Sequence, residues 1–419
     1  MRILSPFAMP GFAVLWSGLS LSIIGDQLFA VVFTWIAVEV FGGGAGYLSA
    51  AQAAILLVAT LLAGSWTDAH DQRHCMIAAD LWRAFVLIFV VGVWSMNGEV
   101  QAWLLIVALI GLGSGEAVFR PALQSVVPRL INDTARLPAA NGLLDATGRA
   151  ARLVGPAMIG PLAMILPVKH FLSVDALTFL VSAFAVFSIG RLRSAKRGSA
   201  KREAFVASVL RGFRATRHHP VLNYTLATYG LLNAAWNTVY FLALPMLIMK
   251  NDIKGPGNSG IGALGLIIAV YGGANLIATL IFGNRDLPSR PQYPIFGGSL
   301  VIGFGLLLLA PIGLLPHEWM LPAWLLVAAA TAIGGPMKDI PFAVLRQSSL
   351  ASRDIPAAMR AYLIVHSTGM LLGWLLMPAA IALVGPTGVI IGCGTVTLAV
   401  GMAGLAMYAE WTEPVQYTA

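Results

Sequence analysis

Residues 191–217 read RLRSAKRGSAKREAFVASVLRGFRATR, and nine of these 27 positions are Lys or Arg, with Glu203 the only acid. On either side the chain is almost uncharged. Apolar runs broken by Gly, Pro or charge predict helices over 11–41, 46–66, 76–96, 102–124, 138–166 and 171–190 before this segment. Six more are predicted after it, over 220–249, 260–283, 293–313, 320–343, 361–384 and 389–409. Over all 419 residues 58% are hydrophobic and 11% charged, with mean hydropathy +0.81, which no water-soluble core can bury. The expected fold is therefore an all-α integral membrane protein, with twelve transmembrane helices in two pseudo-symmetric six-helix bundles. Its domains are residues 1–190, a basic linker over 191–219, and residues 220–419.

Charge places this chain against a membrane. The predicted loops 67–75, 125–137, 191–219, 284–292 and 344–360 hold 17 Lys or Arg, against Lys169, Lys250 and Lys254 in the alternate loops. The positive-inside rule then sets both termini in the cytosol of a cell that carries the protein in its plasma membrane. Val206, Leu210 and Phe213 are spaced for a short amphipathic helix on the membrane surface. The net charge of +8 is spread over short loops, which excludes a nucleic-acid face. Cys75 and Cys393 stand far apart in apolar segments and support neither a disulfide framework nor a metal site. No G-x-S-x-G, HExxH, Walker loop or Ser/His/Asp set is present, so neither catalysis nor a cofactor is expected, and energy must come from a gradient. A faint repeat pairs FRPALQSVVPRL (119–130) with DIPFAVLRQSSL (339–350), and GRAARLVGP (148–156) with GMLLGWLLMP (369–378).

The loop GSWTDAHDQRH (64–74) carries Gly64, Asp68 four residues on and Arg73 five further. It resembles the signature loop of the major facilitator superfamily, with Asp71 and Gln72 departing from the pattern; FGNRDLPSRPQ (282–292) is a more degenerate copy. The resemblance implies a gate built from Gly64, Asp68 and Arg73, joined by the i,i+4 pair Glu116 and Arg120. IGDQLF (24–29), ADLWRA (79–84), FRPALQSVVPRL and VDALTFLVSA (174–183) are similar to the branch that contains enterobactin exporters and macrolide-type efflux antiporters. Gly148, Gly155, Pro156 and Gly160 resemble the antiporter motif of helix 5; packing alone is an equally good reading of them. The Arg that many drug antiporters carry in helix 4 is missing from WLLIVALIGLGSG (103–115).

Ionisable residues inside a bilayer are costly and usually line a pathway. Asp26 stands halfway along the first helix, with Phe29 and Phe33 on its face, and is the foremost proton-coupling candidate; a carboxylate capped by neighbouring hydroxyls is the competing reading. Asp145 and His366 are further proton-coupling candidates. Asp145 can pair with Arg149 and leave Arg152 for an anionic group. Tyr229, Asn233, Trp236, Asn237 and Tyr240 form a polar aromatic stripe on helix 7. Helices 1, 4, 7 and 10 line the central cavity in the resembling family, so the stripe would serve substrate. Lys338 with Asp339 reads as a pair at the membrane edge, and Asp175 as a helix-dipole partner. The expected function is proton-coupled export of a bulky amphipathic molecule, a drug-like natural product or siderophore, by a monomer in contact with membrane lipids. A lysophospholipid flippase or uptake carrier of the same fold is the alternative, and a non-transporting scaffold the reading from another class.

Overall fold

The computed structural model describes residues 6–55, 70–131, 136–190, 205–285, 288–351 and 354–411. These are helical nearly throughout, with no strand among the described residues. The helices are α1 (Pro10–Phe41), α2 (45–55), α3 (Gln72–Asn97), α4 (Ala102–Leu130), α5 (Leu137–Ala157), α6 (Ile159–Ala163) and α7 (Lys169–Ser188). They continue as α8 (Phe205–Arg217), α9 (Pro220–Thr238), α10 (Leu244–Lys250), α11 (Gly260–Gly283), α12 (Gln292–Leu309), α13 (His317–Ser349) and α14 (Ile355–Tyr408).

Nine helices among the described residues are long and apolar enough to cross a bilayer. Two of those nine are too long for one crossing. The stretch Pro10–Ile55 joins α1 to α2 through three glycines. α14 has 54 residues, a straight length of about 80 Å at 1.5 Å per residue, far beyond a hydrocarbon core of roughly 30 Å. It breaks at Gly385, whose φ of 71° and ψ of 171° suit glycine alone, and the two segments lie side by side along α9. With α5 and α6 as one interrupted crossing, the arrangement is consistent with twelve spans.

Several helices differ from their sequence reading for local reasons. The predicted helix 138–166 is interrupted at Met158 between α5 and α6, where Pro156 and Pro161 each withhold a backbone N–H. α4 runs to Leu130, six residues past its expected end, and keeps Pro121 and Pro128 inside the helix. Between α9 and α10, Val239–Ala243 widens into a π-turn just ahead of Pro245, whose ring would clash with the carbonyl one turn back. α3 is well delimited: the Asp71 carboxylate accepts from Arg73 N at 2.9 Å and His74 N at 3.3 Å, and Gly98 ends the helix with φ 80°. The amphipathic segment expected in the linker is α8, with Leu210 and Phe213 exposed.

Backbone proximity divides the chain into two compact units: Met1–Gly198 with Lys254–Ala269, and Ser199–Ile253 with Val270–Ala419. In the first unit α1 packs on α5 and α7, and α3 on α4 and α7. Phe12, Leu15, Met76, Phe119 and Val186 are buried together there. In the second unit α14 packs on α8, α9 and α12, and α12 on α13. Val221, Phe296, Phe342 and Leu345 form a core among them.

Candidate functional site

Each unit buries charged side chains. In the first unit, Asp80 and Arg83 sit one turn apart on α3 and Asp175 lies on α7; the two carboxylates are 0% exposed. Arg83 Nη2 donates to Asp80 Oδ1, and its guanidinium is held between the rings of Phe119 (4.7 Å) and Phe179 (4.2 Å). Asp175 fits against α1 because residue 25 is glycine. A Cβ there would come within 2.5 Å of both Asp175 Oδ1 and Thr178 Oγ1. Thr178 Oγ1 donates to the Asp175 carbonyl at 2.8 Å and to its Oδ1 at 3.2 Å.

Asp26 follows Gly25 on α1 and is half-buried. It interacts electrostatically with Arg83, Glu116, Asp80 and Arg120, and Asp175 interacts with Asp26, Arg83 and Asp80. Arg83 is paired with Asp80, and Asp26 and Asp175, on two further helices, lie within its electrostatic reach. Asp80 Oδ2 and Asp175 Oδ2 are buried with no hydrogen-bond partner among the described residues. Phe29 and Phe33, expected beside Asp26, are buried and stacked with centroids 5.3 Å apart.

Two sequence readings change here. Asp175 is not a dipole partner at a helix start, because α7 begins six residues earlier and the side chain is sealed against α1. Asp80 and Arg83 entered the reading only through the string ADLWRA. A Lys, Arg, Asp or Glu within 26 residues of otherwise apolar helix was the signal that marked them.

The remaining expected residues of this unit fall around the cluster. Arg73 caps the end of α7, donating from Nε to the Val186 carbonyl (3.1 Å) and from Nη2 to the Phe187 carbonyl (2.5 Å), so it ties the start of α3 to the end of α7. Gly64 and Asp68 lie outside the described residues. Glu116 and Arg120 pair at 2.5 Å as their spacing predicted. Gly155 lets α5 approach α1, where a Cβ would stand 2.7 Å from Gln27 Cβ and 2.9 Å from the Ile24 carbonyl. Pro156 is buried beside it, Gly160 abuts Pro256, and Gly148 faces open space. Arg149 and Arg152 are exposed on α5; the side chain of Asp145 lies outside the described residues.

In the second unit the helix 7 stripe divides. Asn233 Nδ2 and Asn237 Nδ2 donate to the carbonyls of Tyr229 (2.9 Å) and Asn233 (3.0 Å), so both amides are engaged with their own helix. Trp236 and Tyr240 gather with Tyr271 of α11, at 5.3 and 5.0 Å, and Tyr240 is core rather than cavity wall. Tyr229 instead meets Tyr362 and His366 of α14, at 4.1 and 5.7 Å, and lies under Lys338 Nζ of α13 at 5.0 Å. Lys338 is buried under that ring and keeps its expected pairing with Asp339, Nζ to Oδ1 3.5 Å. A separate cavity of about 620 Å³ lies between α9 and the two segments of α14. No charged side chain lines it, and Leu231, Leu372 and Leu376 on its wall are at least half exposed, so a hydrocarbon chain suits it. Among the described residues no group of His, Cys, Asp or Glu is placed to hold a metal ion.

Comparison with known proteins agrees with this architecture. The family model described as Major Facilitator Superfamily matches residues 15–345. Multidrug efflux pump Tap of Mycolicibacterium fortuitum is 30% identical over 242 residues, covering 54% of this chain and 56% of that protein. Macrolide efflux protein A of Streptococcus pyogenes is 22% identical over 62% of this chain and 66% of its own length. The chain thus spans between about half and two-thirds of these relatives. A bacterial homologue of the iron transporter ferroportin, in its inward-facing state, shares the fold with TM-score 0.67 at 16% identity, covering 97% of this chain and 99% of that one.

Proposed function

The chain belongs to the major facilitator superfamily, and from that premise we propose that it is a proton-coupled exporter of a bulky amphipathic small molecule. It works as a monomer in the plasma membrane, with both termini cytosolic. Residues 1–190 and 220–419 act as two bundles in alternating access, joined by the basic segment 191–219. The direction of transport is supported by the efflux proteins among its relatives.

The observation that carries proton coupling is the imbalance around Arg83. Asp26, Asp80 and Asp175 share one guanidinium, and Asp80 is the carboxylate paired to it. Uncompensated charge is expensive in an apolar interior, so protons are the natural counter-ions for the two carboxyls in excess. Asp80 and Asp175 are sealed, whereas Asp26 is half-buried, so Asp26 is the group that exchanges with water. Loading it removes repulsion within the cluster and unloading restores it. Two charge states of one packed cluster on α1, α3 and α7 can then bias two conformations of the carrier. Phe29 and Phe33 supply an aromatic wall beside it, suited to an apolar ligand rather than a sugar.

The test is proton release from proteoliposomes that carry a trapped pH dye, on addition of a macrolide. The unmodified protein should couple substrate flux to proton flux. Asp26→Asn should leave the fold intact and abolish the coupling; full gradient-driven transport by that variant would remove Asp26 from the mechanism. Transleaflet movement of labelled lysophospholipid without a gradient would replace export by flipping.

A further inference from the structure

Lys338, Phe342 and Arg346 lie at i, i+4 and i+8 on α13 and form one stripe of that helix. The two cations are 5% and 8% exposed. Lys338 Nζ stands 5.0 Å above the Tyr229 ring, and the Arg346 guanidinium lies 5.3 Å from Phe342 and 5.0 Å from Tyr362. Tyr229 and Tyr362 are 4.1 Å apart, with Phe342 at 6.4 and 5.8 Å from them. His366 closes the group 5.7 Å from Tyr229, and its Nδ1 is buried with no hydrogen-bond partner among the described residues. The acid beside them is Asp339, whose Oδ1 is 3.5 Å from Lys338 Nζ and whose side chain is 48% exposed. Two buried positive charges therefore face one half-exposed negative charge.

Arg346 is the informative residue. Its Nε and Nη1 are buried and have no hydrogen-bond partner among the described residues. Aromatic faces attract a guanidinium through its plane but cannot accept from the N–H groups along its edge. Leaving charged donors unsatisfied in a buried position is costly; Arg83 of the first unit also has a buried Nε without a partner, but its guanidinium is paired with Asp80, whereas no carboxylate pairs with Arg346 among the described residues. An oxyanion satisfies such an edge with two parallel hydrogen bonds and also balances the surplus charge.

We infer that Lys338 and Arg346, with Tyr229 and Tyr362 between them, form a subsite for an oxyanion, the carboxylate or phosphate-type head of an amphipathic ligand. This deepens the export reading by naming the head group of the substrate, and it rests on that reading for its role in transport. The same head group is carried by soluble acids and by anionic lysolipids.

The experiment is equilibrium binding to the full-length protein in nanodiscs of phosphatidylcholine, without any gradient. The probes are octyl phosphate, octanoate, octanol and octyltrimethylammonium. The two acids should bind about tenfold or more tighter than octanol and the cation, since a hydrogen bond to a charged group contributes about 1.5–3 kcal/mol. Arg346→Gln and Lys338→Met should each remove that preference while octanol binding is unchanged. Arg346→Lys keeps the charge without the planar fork and should give intermediate affinity, and thermal melting of each variant reports whether it is folded.

Octyl phosphate binding no tighter than octanol overturns the subsite, as does undiminished preference in a folded Arg346→Gln or Lys338→Met protein. If the glutamine variant does not fold, the lysine variant decides, and unchanged acid binding by it overturns the forked geometry. A lysophosphatidate incorporated in the nanodisc that displaces octyl phosphate supports the subsite with lipid as its source; displacement by water-soluble acids alone supports it with a solute. Charge-selective binding without proton flux driven by either a macrolide or octyl phosphate leaves the subsite standing and defeats the exporter reading, whereas coupled macrolide flux without acid preference does the reverse.

Discussion

The two units bury charge of opposite sign, one around a carboxylate–guanidinium pair and the other around two cations under aromatic rings. In the first, Arg83 is paired to Asp80 and stacked between Phe119 and Phe179, with Asp26 and Asp175 within its electrostatic reach. In the second, Lys338 and Arg346 outnumber Asp339, and aromatic faces take the place of carboxylates. Helices of similar length and composition build both, so the fold does not dictate the sign. What differs is the particle that the two proposals assign to each cluster: protons to the carboxyls around Arg83, and an oxyanion to Lys338 and Arg346.

The sharpest way to break this contrast is to delete the one cation of the acidic cluster. Arg83→Met leaves buried carboxyls without their partner and should destabilise the protein by about 3–5 kcal/mol, seen as a large drop in thermal melting temperature. A variant that melts like the unmodified protein would show that Arg83 is not what holds the carboxyls together.

Asp26→Asn should act on function alone, with melting unchanged and proton release at the level of protein-free liposomes. Gly155→Leu tests the frame that holds α1 in place: with a Cβ already 2.7 Å from Gln27, the larger side chain should cost roughly 1–3 kcal/mol by melting. The same substitution at Gly148, which faces open space, should be close to neutral. The smallest effect belongs to Glu116→Gln. Arg120 is 69% exposed, and an i,i+4 pair in that setting contributes about 0.3–0.5 kcal/mol or less. A loss as large as that of Arg83→Met would mean that this pair belongs to the buried cluster.

Much of the architecture was legible because its causes are local. Apolar runs located the helices, and the breaks that the reading missed were proline effects of one turn: the interruption at Met158 and the π-turn before Pro245. Periodicity also put Phe29 and Phe33 on one face of α1, where their rings stack, and paired Glu116 with Arg120. It failed where a side chain's neighbour comes from another helix. Asp175 reads as a dipole partner but is sealed against Gly25, and the Tyr229 ring over Lys338 has no signal in the helix that carries the lysine. The helix 7 stripe looked like one wall, yet Tyr229 joins α13 and α14 while Trp236 and Tyr240 join Tyr271.

By itself, then, the sequence determined the solvent, the helical class and the inventory of intramembrane charges, since each follows from composition or from spacing within one turn, and its motifs carried the resemblance to the family. Only the tertiary structure decided which of those charges meet. Arg73 reaches carbonyls 113 and 114 residues away, and Phe119 of α4 and Phe179 of α7 enclose the guanidinium of Arg83 on α3. The physical reason is that a helix fixes the direction of a side chain, while the identity of its neighbour depends on how closely another helix can approach. Here that approach is set by single glycines such as Gly25 and Gly155, whose effect no local pattern reveals.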